Sequence, residues 1–382
     1  MKKIVLLTNT IAPYRIPVLN KLNRIPDYQL KVWYLEEREK NRHWKIERDE
    51  IEYEYECLPG LHAFIQRLDM GVHWNPGIFF KLIRHRPDIV MTSGYDSLGY
   101  WAALLYSKMF RKKFVVWWGS TLASSRVKNE WVNRIRSFFF RAADSFVTYG
   151  TDSAECLKHY GVEERKIVVG YNTVDIRFFR DKYKEYVRRR GISRNRDEPM
   201  TFLFIGQLIE RKGLASVIRS LHALKEREWQ LLIVGTGPDE ADLRHLVGRL
   251  ELEARIRFEG YKQKEEVVRY LIEADCLVFP SLIEVWGLVV NEALATDTFV
   301  LASKYAGATT DIIVDGHNGL IIDPLDEEKL TKSFEWILDR ADWVRSERSL
   351  GLKLWRRLHP ESYAKAVSTA IRRAQSPQGE TI

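Results

Sequence analysis

The stretch that decides the fold runs from residue 280 to residue 294 and reads PSLIEVWGLVVNEAL. It follows a short apolar run at Cys276–Phe279, which predicts a strand buried on both faces of a parallel sheet. After a polar loop that carries Glu284, the pattern predicts a helix that begins around Gly287. A strand, a loop and a helix in this order are the repeating unit of a doubly wound α/β fold.

Outward from this stretch, the same alternation of strands and helices occurs in both halves of the chain. Five strands are predicted before residue 172 and five after residue 198, with helical patterns between several of them. The sequence therefore predicts an α/β fold with two doubly wound Rossmann-like domains that face each other across a cleft. The predicted strands are 4–7, 29–34, 89–91, 114–117 and 146–148, then 201–205, 230–234, 256–259, 276–279 and 298–301.

We place the N-terminal domain at residues 1–172 and the C-terminal domain at residues 173–360. The start of the second domain, 173–198, is polar and rich in arginine, and it is interpreted as a connection with little apolar periodicity. A helix over 361–374 is expected to join the N-terminal domain, and residues 375–382 form a polar tail that we expect to be disordered.

The loop and helix of the opening stretch suit a nucleotide. The N–H groups of Gly287, Leu288 and Val289 lie in the first turn of the helix, where they have no partner within the helix and can bind a phosphate. Glu292 lies further along the helix and can accept hydrogen bonds from ribose hydroxyls, while Glu284 can accept them from a sugar. The alternative is an amphipathic helix whose two glutamates simply face water.

Glu284 and Glu292 form an E-x7-E spacing, and the segment resembles that motif in retaining GT-B glycosyltransferases of family 4. Four further segments resemble the same family in the same order. They are the N-x-V-D segment at 172–175 with Phe178, the strand and loop at 204–213, the G-x-G-P turn at 235–238, and the region from Gly307 to Leu320.

The resemblance implies a role for individual donor-side residues. Lys212 neutralises the diphosphate, Glu284 orients the donor sugar and Glu292 holds the ribose. The loop with Gly206 and Arg211, and the turn with Gly235 and Gly237, complete the donor site. Gln207 stands where the family usually has Arg, so one charge is absent, and it stays open whether Arg211 replaces it.

The N-terminal half resembles the family less, because Ala12–Pro17 replaces the usual Gly-rich loop, in wording similar to a branch of bacterial polysaccharide glycosyltransferases. Tyr14 and Arg15 follow the first strand, where an arginine can meet a phosphate or a sugar carboxylate. The alternative is an ordinary turn with a surface arginine. Tyr95 and Asp96 follow another strand, and Asp96 is either an acceptor contact or a cap.

Trp118 is a further candidate on the acceptor side. With Gly119 it stands where many members of the family have His-Gly. Any role of that imidazole toward the acceptor is therefore absent or has moved to another residue.

The net charge is +8, and all of the excess positive charge lies in residues 1–170. This asymmetry suggests an anionic partner for that half, such as a membrane surface, a phosphorylated lipid or a nucleic acid, and a merely soluble basic domain is the alternative. The spacing of Val127, Trp131, Ile135 and Phe138 predicts a helix whose apolar stripe faces the core, and a membrane-facing helix is the alternative.

The three cysteines are far apart, which argues against disulfides and a zinc site and favours a reducing compartment. The apolar run at the start is too short for a signal peptide, and no stretch is long enough to span a bilayer. We therefore expect a cytoplasmic protein, with any membrane contact peripheral at the inner face.

These features together predict a retaining glycosyltransferase that moves a sugar from a nucleotide diphosphate, UDP rather than GDP, to a saccharide or lipid-linked acceptor in surface polysaccharide or glycoconjugate biosynthesis. No cofactor or metal is expected, because cationic side chains and amides already face the phosphates. A non-catalytic GT-B binding partner, supported by Gln207, and another sugar-nucleotide enzyme such as an epimerase are the alternatives. A nucleic-acid acceptor is disfavoured by the lack of a basic stripe with regular aromatics.

Overall fold

A computed structural model describes residues 1–38, 45–65, 70–125, 129–190, 198–346 and 354–376 of the 382-residue chain. The chain divides into two compact units. Met1–Val174 and Pro360–Ile382 form one, which we call the N-terminal unit, and Asp175–His359 form the C-terminal unit. Each unit is built on its own parallel sheet.

The N-terminal unit contains a seven-stranded sheet in the order β3-β2-β1-β6-β7-β8-β9, in which all neighbours are parallel. Its central strands are short apolar runs, and Ile4, Val5, Leu6 and Leu7 are fully buried. A separate antiparallel hairpin consists of β4 and β5. The strands are β1 (Lys2–Thr8), β2 (Tyr28–Tyr34), β3 (Glu54–Cys57), β4 (Leu61–Ile65), β5 (Met70–Trp74), β6 (Ile89–Thr92), β7 (Lys113–Trp118), β8 (Ser145–Thr148) and β9 (Ile167–Val169).

The helices of this unit include the last helix of the chain, α15. Tyr363 on α15 accepts a hydrogen bond from the indole of Trp117 and donates one to the carbonyl of Thr148. These buried contacts attach α15 to the N-terminal sheet. The helices are α1 (Ile16–Asn23), α2 (Ile78–His85), α3 (Leu98–Met109), α4 (Glu130–Ala142), α5 (Thr151–His159) and α15 (Pro360–Gln375).

The C-terminal unit contains a six-stranded parallel sheet in the order β12-β11-β10-β13-β14-β15. Its strands are β10 (Met200–Ile205), β11 (Trp229–Val234), β12 (Ile256–Gly260), β13 (Cys276–Phe279), β14 (Phe299–Ser303) and β15 (Gly319–Ile322). Its helices are α6 (Ile176–Arg190), α7 (Leu214–His222), α8 (Glu240–Arg249), α9 (Lys264–Glu273), α10 (Leu288–Ala295), α11 (Gly307–Ile312), α12 (Glu327–Asp339), α13 (Ala341–Arg345) and α14 (Trp355–Leu358).

The prediction of two doubly wound α/β domains is confirmed, and the bounds of each of the ten predicted strands lie within two residues of those of an observed strand. The prediction of a polar connection with little apolar periodicity over 173–198 is wrong for Ile176–Arg190, which form α6. Ile176, Phe179 and Tyr183 are buried at helical spacing, but charged residues surround this narrow stripe and hide it in the sequence. Residues 191–197, and the tail from 377, lie outside the described residues.

The predicted core-facing stripe of α4 is also wrong. Trp131, Ile135 and Phe138 are 71%, 49% and 66% exposed, and Val127 lies outside the described residues. The buried face of α4 contains Arg136, Phe139 and Phe140 instead. The stripe is thus displaced by one residue, which is about 100° around a helix.

The hydrogen bonds of the buried Arg136 side chain explain why the buried stripe of α4 is displaced. Arg136 donates to the hydroxyls of Tyr95 and Tyr160, and polar residues that make such bonds can be buried where a simple apolar count would not place them.

Candidate functional site

In the C-terminal unit the strand order reverses between β10 and β13, and β10 pairs with both β11 and β13. Parallel sheets bind ligands outside the carboxyl ends of the strands at such a reversal. The loop after β10 carries Gly206, Gln207, Arg211 and Lys212, and the loop after β13 carries Glu284. The topology therefore brings the predicted donor-side loops to one edge of the sheet.

The two loops meet in an ion pair between the Lys212 ammonium and the Glu284 carboxylate, whose side chains are only 14% and 18% exposed. Burial alone raises the pKa of Glu284, but the charges of Lys212 and Arg211 outweigh it and hold the pKa below its usual value. Glu284 is therefore an anion at neutral pH. A lysine held in this way presents a compact cation to an incoming phosphate.

Backbone contacts fix the same loops. The carbonyl of Arg211 accepts a hydrogen bond of 2.8 Å from the N–H of Leu282, and the N–H of Gly206 donates to Val234 across 3.0 Å. Gln207, which follows Gly206 in the loop after β10, is half-buried. The first bond joins the loop after β10 to the loop after β13, so Lys212 and Glu284 are held on connected backbone.

Two glycines in the turn after β11 allow a close backbone approach. At Gly235, where φ is +137°, a Cβ atom would lie 1.8 Å from the carbonyl oxygen of Gly206. At Gly237 it would lie 2.2 Å from the carbonyl oxygen of Leu208. The G-x-G spacing is thus a packing requirement of this edge, since any side chain would push the β10 loop away.

The helix α10 begins at Leu288, with Gly287 as its N-cap at a φ of +100°. The N–H groups of Gly287, Leu288 and Val289 lie at the N-cap and in the first turn of α10, the part of a helix that can bind an anion. Glu292 lies one turn further along α10. Burial raises the pKa of Glu292 to about 8, although the charge of Lys264 lowers it. The two glutamates of the E-x7-E spacing therefore differ in ionisation.

The N-terminal unit has its own reversal between β1 and β6. Arg15, on a short 3₁₀ helix (Pro13–Arg15) after β1, donates hydrogen bonds to the hydroxyls of Thr8 and Tyr149. Its guanidinium carbon lies 5.5 Å from the ring centroid of Trp117. Within the described part of the chain, no carboxylate pairs with Arg15 and its buried Nε has no hydrogen-bond partner.

Hydroxyl groups surround Arg15 and continue along the sheet edge. Ser93, after β6, lies 2.9 Å from the hydroxyl of Thr8 and 3.0 Å from that of Tyr100, which in turn donates to Asn9. Burial alone lowers the pKa of Arg15, but the oxygens of Tyr149 and of other tyrosines raise it above its usual value. The result is a permanent cation among neutral hydroxyls, an arrangement that suits an anion.

The remaining N-terminal candidates divide between the edge and the core. Tyr14 is half-buried beside Arg15, 5.9 Å from its guanidinium carbon, and Asp96 is exposed in the loop after β6. Tyr95 accepts a hydrogen bond from Arg136. Trp118 is 7% exposed and packs against the ring of Tyr95, so its indole contributes to the hydrophobic core rather than to an open surface.

Sequence reasoning missed Thr8, Ser93, Tyr100 and Tyr149, which complete the surroundings of Arg15. Thr8 and Ser93 end or follow predicted strands, and this position was the available signal. Tyr100 and Tyr149 have no such signal, because an isolated tyrosine is more often a core residue.

Residues 46–178 match the model of Glycosyltransferase Family 4, and residues 188–349 match the model of Glycosyl transferases group 1. The D-inositol 3-phosphate glycosyltransferase of Pseudarthrobacter chlorophenolicus is 28% identical over 248 residues, which are 60% of this chain and 57% of the relative. The chain spans about half the length of the curated relatives it matches.

Solved structures share the fold of both units. HepE of Anabaena in complex with UDP aligns over 97% of this chain and 99% of its own, with a TM-score of 0.74 and 16% identity. The lipopolysaccharide outer core galactosyltransferase WaaB in its apo form aligns over the same shares, with a TM-score of 0.70 and 18% identity.

The fold is therefore that of the GT-B glycosyltransferases, with two Rossmann-like domains. The match to the Glycosyltransferase Family 4 model lies mainly in the N-terminal unit, and the match to the Glycosyl transferases group 1 model lies in the C-terminal unit. Among the described residues, no helix is both long enough and apolar enough to cross a bilayer.

Proposed function

We propose that the protein is a retaining glycosyltransferase that takes a sugar from a UDP-sugar. The observation that carries the proposal is the Lys212–Glu284 ion pair, on the two loops at the strand reversal of the C-terminal unit. Lys212 and the first-turn amides of α10 stabilise the charge that grows on the departing diphosphate, and such stabilisation increases when the bond breaks. UDP is favoured because HepE, which shares the fold, binds it.

Glu284 and Glu292 have separate tasks in this proposal. Glu284, ionised beside Lys212, accepts hydrogen bonds from hydroxyls of the transferred sugar. Glu292, set back on α10, binds the ribose. They are not the acid and nucleophile of a glycosidase, which must flank the bond that breaks. Retention follows if the acceptor hydroxyl arrives on the face that the diphosphate leaves.

We propose further that the acceptor carries an anionic group, a phosphate or a carboxylate, that Arg15 binds in the N-terminal unit. The support is a half-buried guanidinium without a carboxylate partner among the described residues, surrounded by hydroxyls that can also contact a sugar. A saccharide or lipid-linked acceptor of this kind belongs to surface polysaccharide or glycoconjugate biosynthesis. WaaB, with the same fold, is a lipopolysaccharide enzyme.

A peripheral contact with an anionic membrane is part of the proposal. It rests on the exposed face of α4, where Trp131 and Phe138 lie beside Arg134 and Arg141. Phe138 stacks on Trp101 of α3 at an interplanar angle of 5°, so the apolar surface extends beyond one helix. An aromatic surface mixed with cations favours the bilayer interface.

The deciding experiment screens the purified protein against UDP-, GDP- and ADP-sugars without metal, by calorimetry and by turnover. We expect UDP to bind and the UDP-sugar to be hydrolysed slowly in water. NMR determines which anomer of the sugar is released. Glu292→Ala should weaken UDP binding, whereas Glu284→Ala should mainly slow transfer. Unchanged binding and kinetics in both variants would contradict the assignment.

A non-catalytic nucleotide-binding protein is the second candidate, and Gln207 is the observation that favours it. A glutamine can donate a hydrogen bond to a diphosphate but cannot neutralise it. Binding of UDP without turnover of any UDP-sugar, with or without acceptor, would favour this second function. Conversion of the donor sugar without any acceptor would instead indicate an epimerase.

A further inference from the structure

Three potential metal ligands, none of them a candidate donor or acceptor residue, converge at the carboxyl end of β2. They are Glu36, two residues after the end of β2, and His62 and His73, which face each other in the hairpin of β4 and β5. One ligand atom from each residue lies within 4.8 Å of the other two. The two histidines are eleven positions apart in the sequence, so their spacing alone did not indicate this group.

The separations match those of ligands around a small cation. The two Nδ1 atoms of His62 and His73 lie 3.2 Å apart, and Nδ1 of His73 lies 3.6 Å from Oε2 of Glu36. Ligands 2.0–2.1 Å from a tetrahedral zinc ion are separated by about 3.3–3.4 Å from one another. The two measured edges lie on either side of this value.

The ligands are held by the fold in a graded manner. The side chain of His73 is 2% exposed, and its carbonyl accepts a hydrogen bond of 3.3 Å from Ser97. Glu36 is fixed through its backbone N–H, which donates to Asn9 across 2.9 Å, while its carboxylate is 24% exposed. A fixed central ligand with two adjustable neighbours can close the remaining edge around an ion by side-chain rotation alone.

The backbone of the hairpin is tied to the sheet at the same point. Asn75, directly after β5, donates hydrogen bonds of 3.0 Å to the carbonyls of Leu35 and Pro59. Leu35 itself donates to Thr8 at the end of β1. The three ligands therefore project from backbone segments that are joined whether or not an ion is bound.

The geometry points to a zinc-type divalent metal site formed by Glu36, His62 and His73, which joins the hairpin to the carboxyl edge of the N-terminal sheet. Two imidazoles and one carboxylate are ligands that Zn²⁺ accepts, and three protein ligands leave a fourth position open for water or an anion. Mg²⁺ is excluded as the preferred ion, since it favours an octahedron of oxygen ligands.

The test uses full-length, tag-free protein dialysed against a chelator and then titrated with Zn²⁺ and with Co²⁺. We expect one equivalent per chain, with a Kd of about 1 µM or lower, and a Co²⁺ visible spectrum of tetrahedral type. His62→Gln, at the outer side of the hairpin, should weaken binding at least about a hundredfold. Glu36→Gln should weaken it less, because the amide oxygen can still contact the ion.

The matched control is His159→Gln, which removes an exposed histidine of the same unit and should leave the Kd unchanged. Circular dichroism of each metal-free variant separates loss of a ligand from loss of the fold. Absence of binding to the folded wild-type protein, or binding that persists in a folded His62→Gln, His73→Gln double variant, would overturn the site. If the two histidines only share a hydrogen bond, the folded wild-type protein should not bind the metal.

Zn²⁺ should also raise the melting temperature of the wild-type protein, since it binds only the folded hairpin. UDP binding should not change on chelation, because its proposed ligands belong to the other unit. The metal site and the proposed transferase activity can thus fail independently.

Discussion

At the strand reversal of the C-terminal unit, the loops after β10 and β11 contain Gly206, Gly235 and Gly237, which we call the glycine-lined edge. At the reversal of the N-terminal unit, the loop after β1 contains Pro13–Arg15 instead. Both reversals have the same topology, β11-β10-β13 in one sheet and β2-β1-β6 in the other. Glycines bring backbone close to a ligand and leave the recognition to amides. The Arg15 loop instead offers one guanidinium, so the binding of an anion depends on a side chain.

This difference separates two kinds of ligand. A diphosphate has many oxygens, and an array of amides with one lysine can contact several of them at once. A single phosphate or carboxylate is met by the planar fork of an arginine, which binds two oxygens together. We therefore expect substitutions in the glycine-lined edge to weaken the use of every donor, and substitution of Arg15 to weaken the use of one class of acceptor.

The largest effect is expected from Lys212→Ala, which should lower kcat by about a hundredfold to a thousandfold. The lysine neutralises charge in the transition state, and removal of one such group costs about 3–4 kcal/mol of activation free energy. Steady-state transfer from a UDP-sugar measures it. Lys225→Ala removes an exposed lysine of the same unit and serves as the control. A kcat within threefold of wild type would exclude Lys212 from the chemistry.

The next effect is expected from Arg15→Ala, which should raise the KM for an anionic acceptor by about ten- to a hundredfold. A hydrogen bond to a charged group contributes roughly 1.5–3 kcal/mol. Arg15→Lys should recover only part of the loss, because an ammonium does not reproduce the fork. Hydrolysis of the donor in water, measured in parallel, should stay unchanged. Equal loss in both assays would mean that Arg15 supports the fold instead.

The sequence predicted most of the sheet edge in the C-terminal unit and much less of it in the N-terminal unit. Lys212, Glu284 and the glycines lie in loops directly after strands, and the lengths of those loops leave few arrangements. The surroundings of Arg15 come from the ends of β1, β6 and β8 and from α3, and Tyr149 lies 134 residues from Arg15 in the sequence. Nothing local in the sequence relates Tyr149 to Arg15, because their contact depends on the strand order.

The predicted buried face of α4 was wrong for a related reason. Its hydrophobic periodicity fits two registers one residue apart, and the choice between them rests on Arg136 bonding to Tyr95 and Tyr160. These partners lie on other elements, so a helical pattern by itself selects the wrong face. In both cases the missing information is a long-range polar contact.

A moderate effect on stability is expected from the raised pKa of Glu292. Its pKa is about 8 in the folded protein, above the usual value of 4.5, so the folded state holds a proton that the unfolded state releases between these pH values. The free energy of unfolding should therefore fall as the pH rises from about 5 to 8, by no more than about 1.4 kcal/mol per pH unit.

Chemical denaturation at several pH values measures this slope. Glu292→Gln keeps a neutral group of the same shape, so its stability should depend less on pH across that window. Glu273→Gln, at the end of α9, supplies the control. An equal slope in wild type and Glu292→Gln would show that Glu292 does not carry the shift.

The smallest effect is expected from Gln207→Arg, which should tighten UDP binding by about two- to fivefold. The substitution adds the charge that the glycine-lined edge lacks, but Gln207 is only half-buried and a new charge there gains only about 0.5–1 kcal/mol. Calorimetry at low and high salt tests it, and the gain should shrink as salt screens the charge. Gln29→Arg, on the exposed side of β2, adds the same net charge in the other unit and should change nothing. If Gln207→Arg also changes nothing, Arg211 already supplies the cation, and the C-terminal edge is no less charged than its relatives.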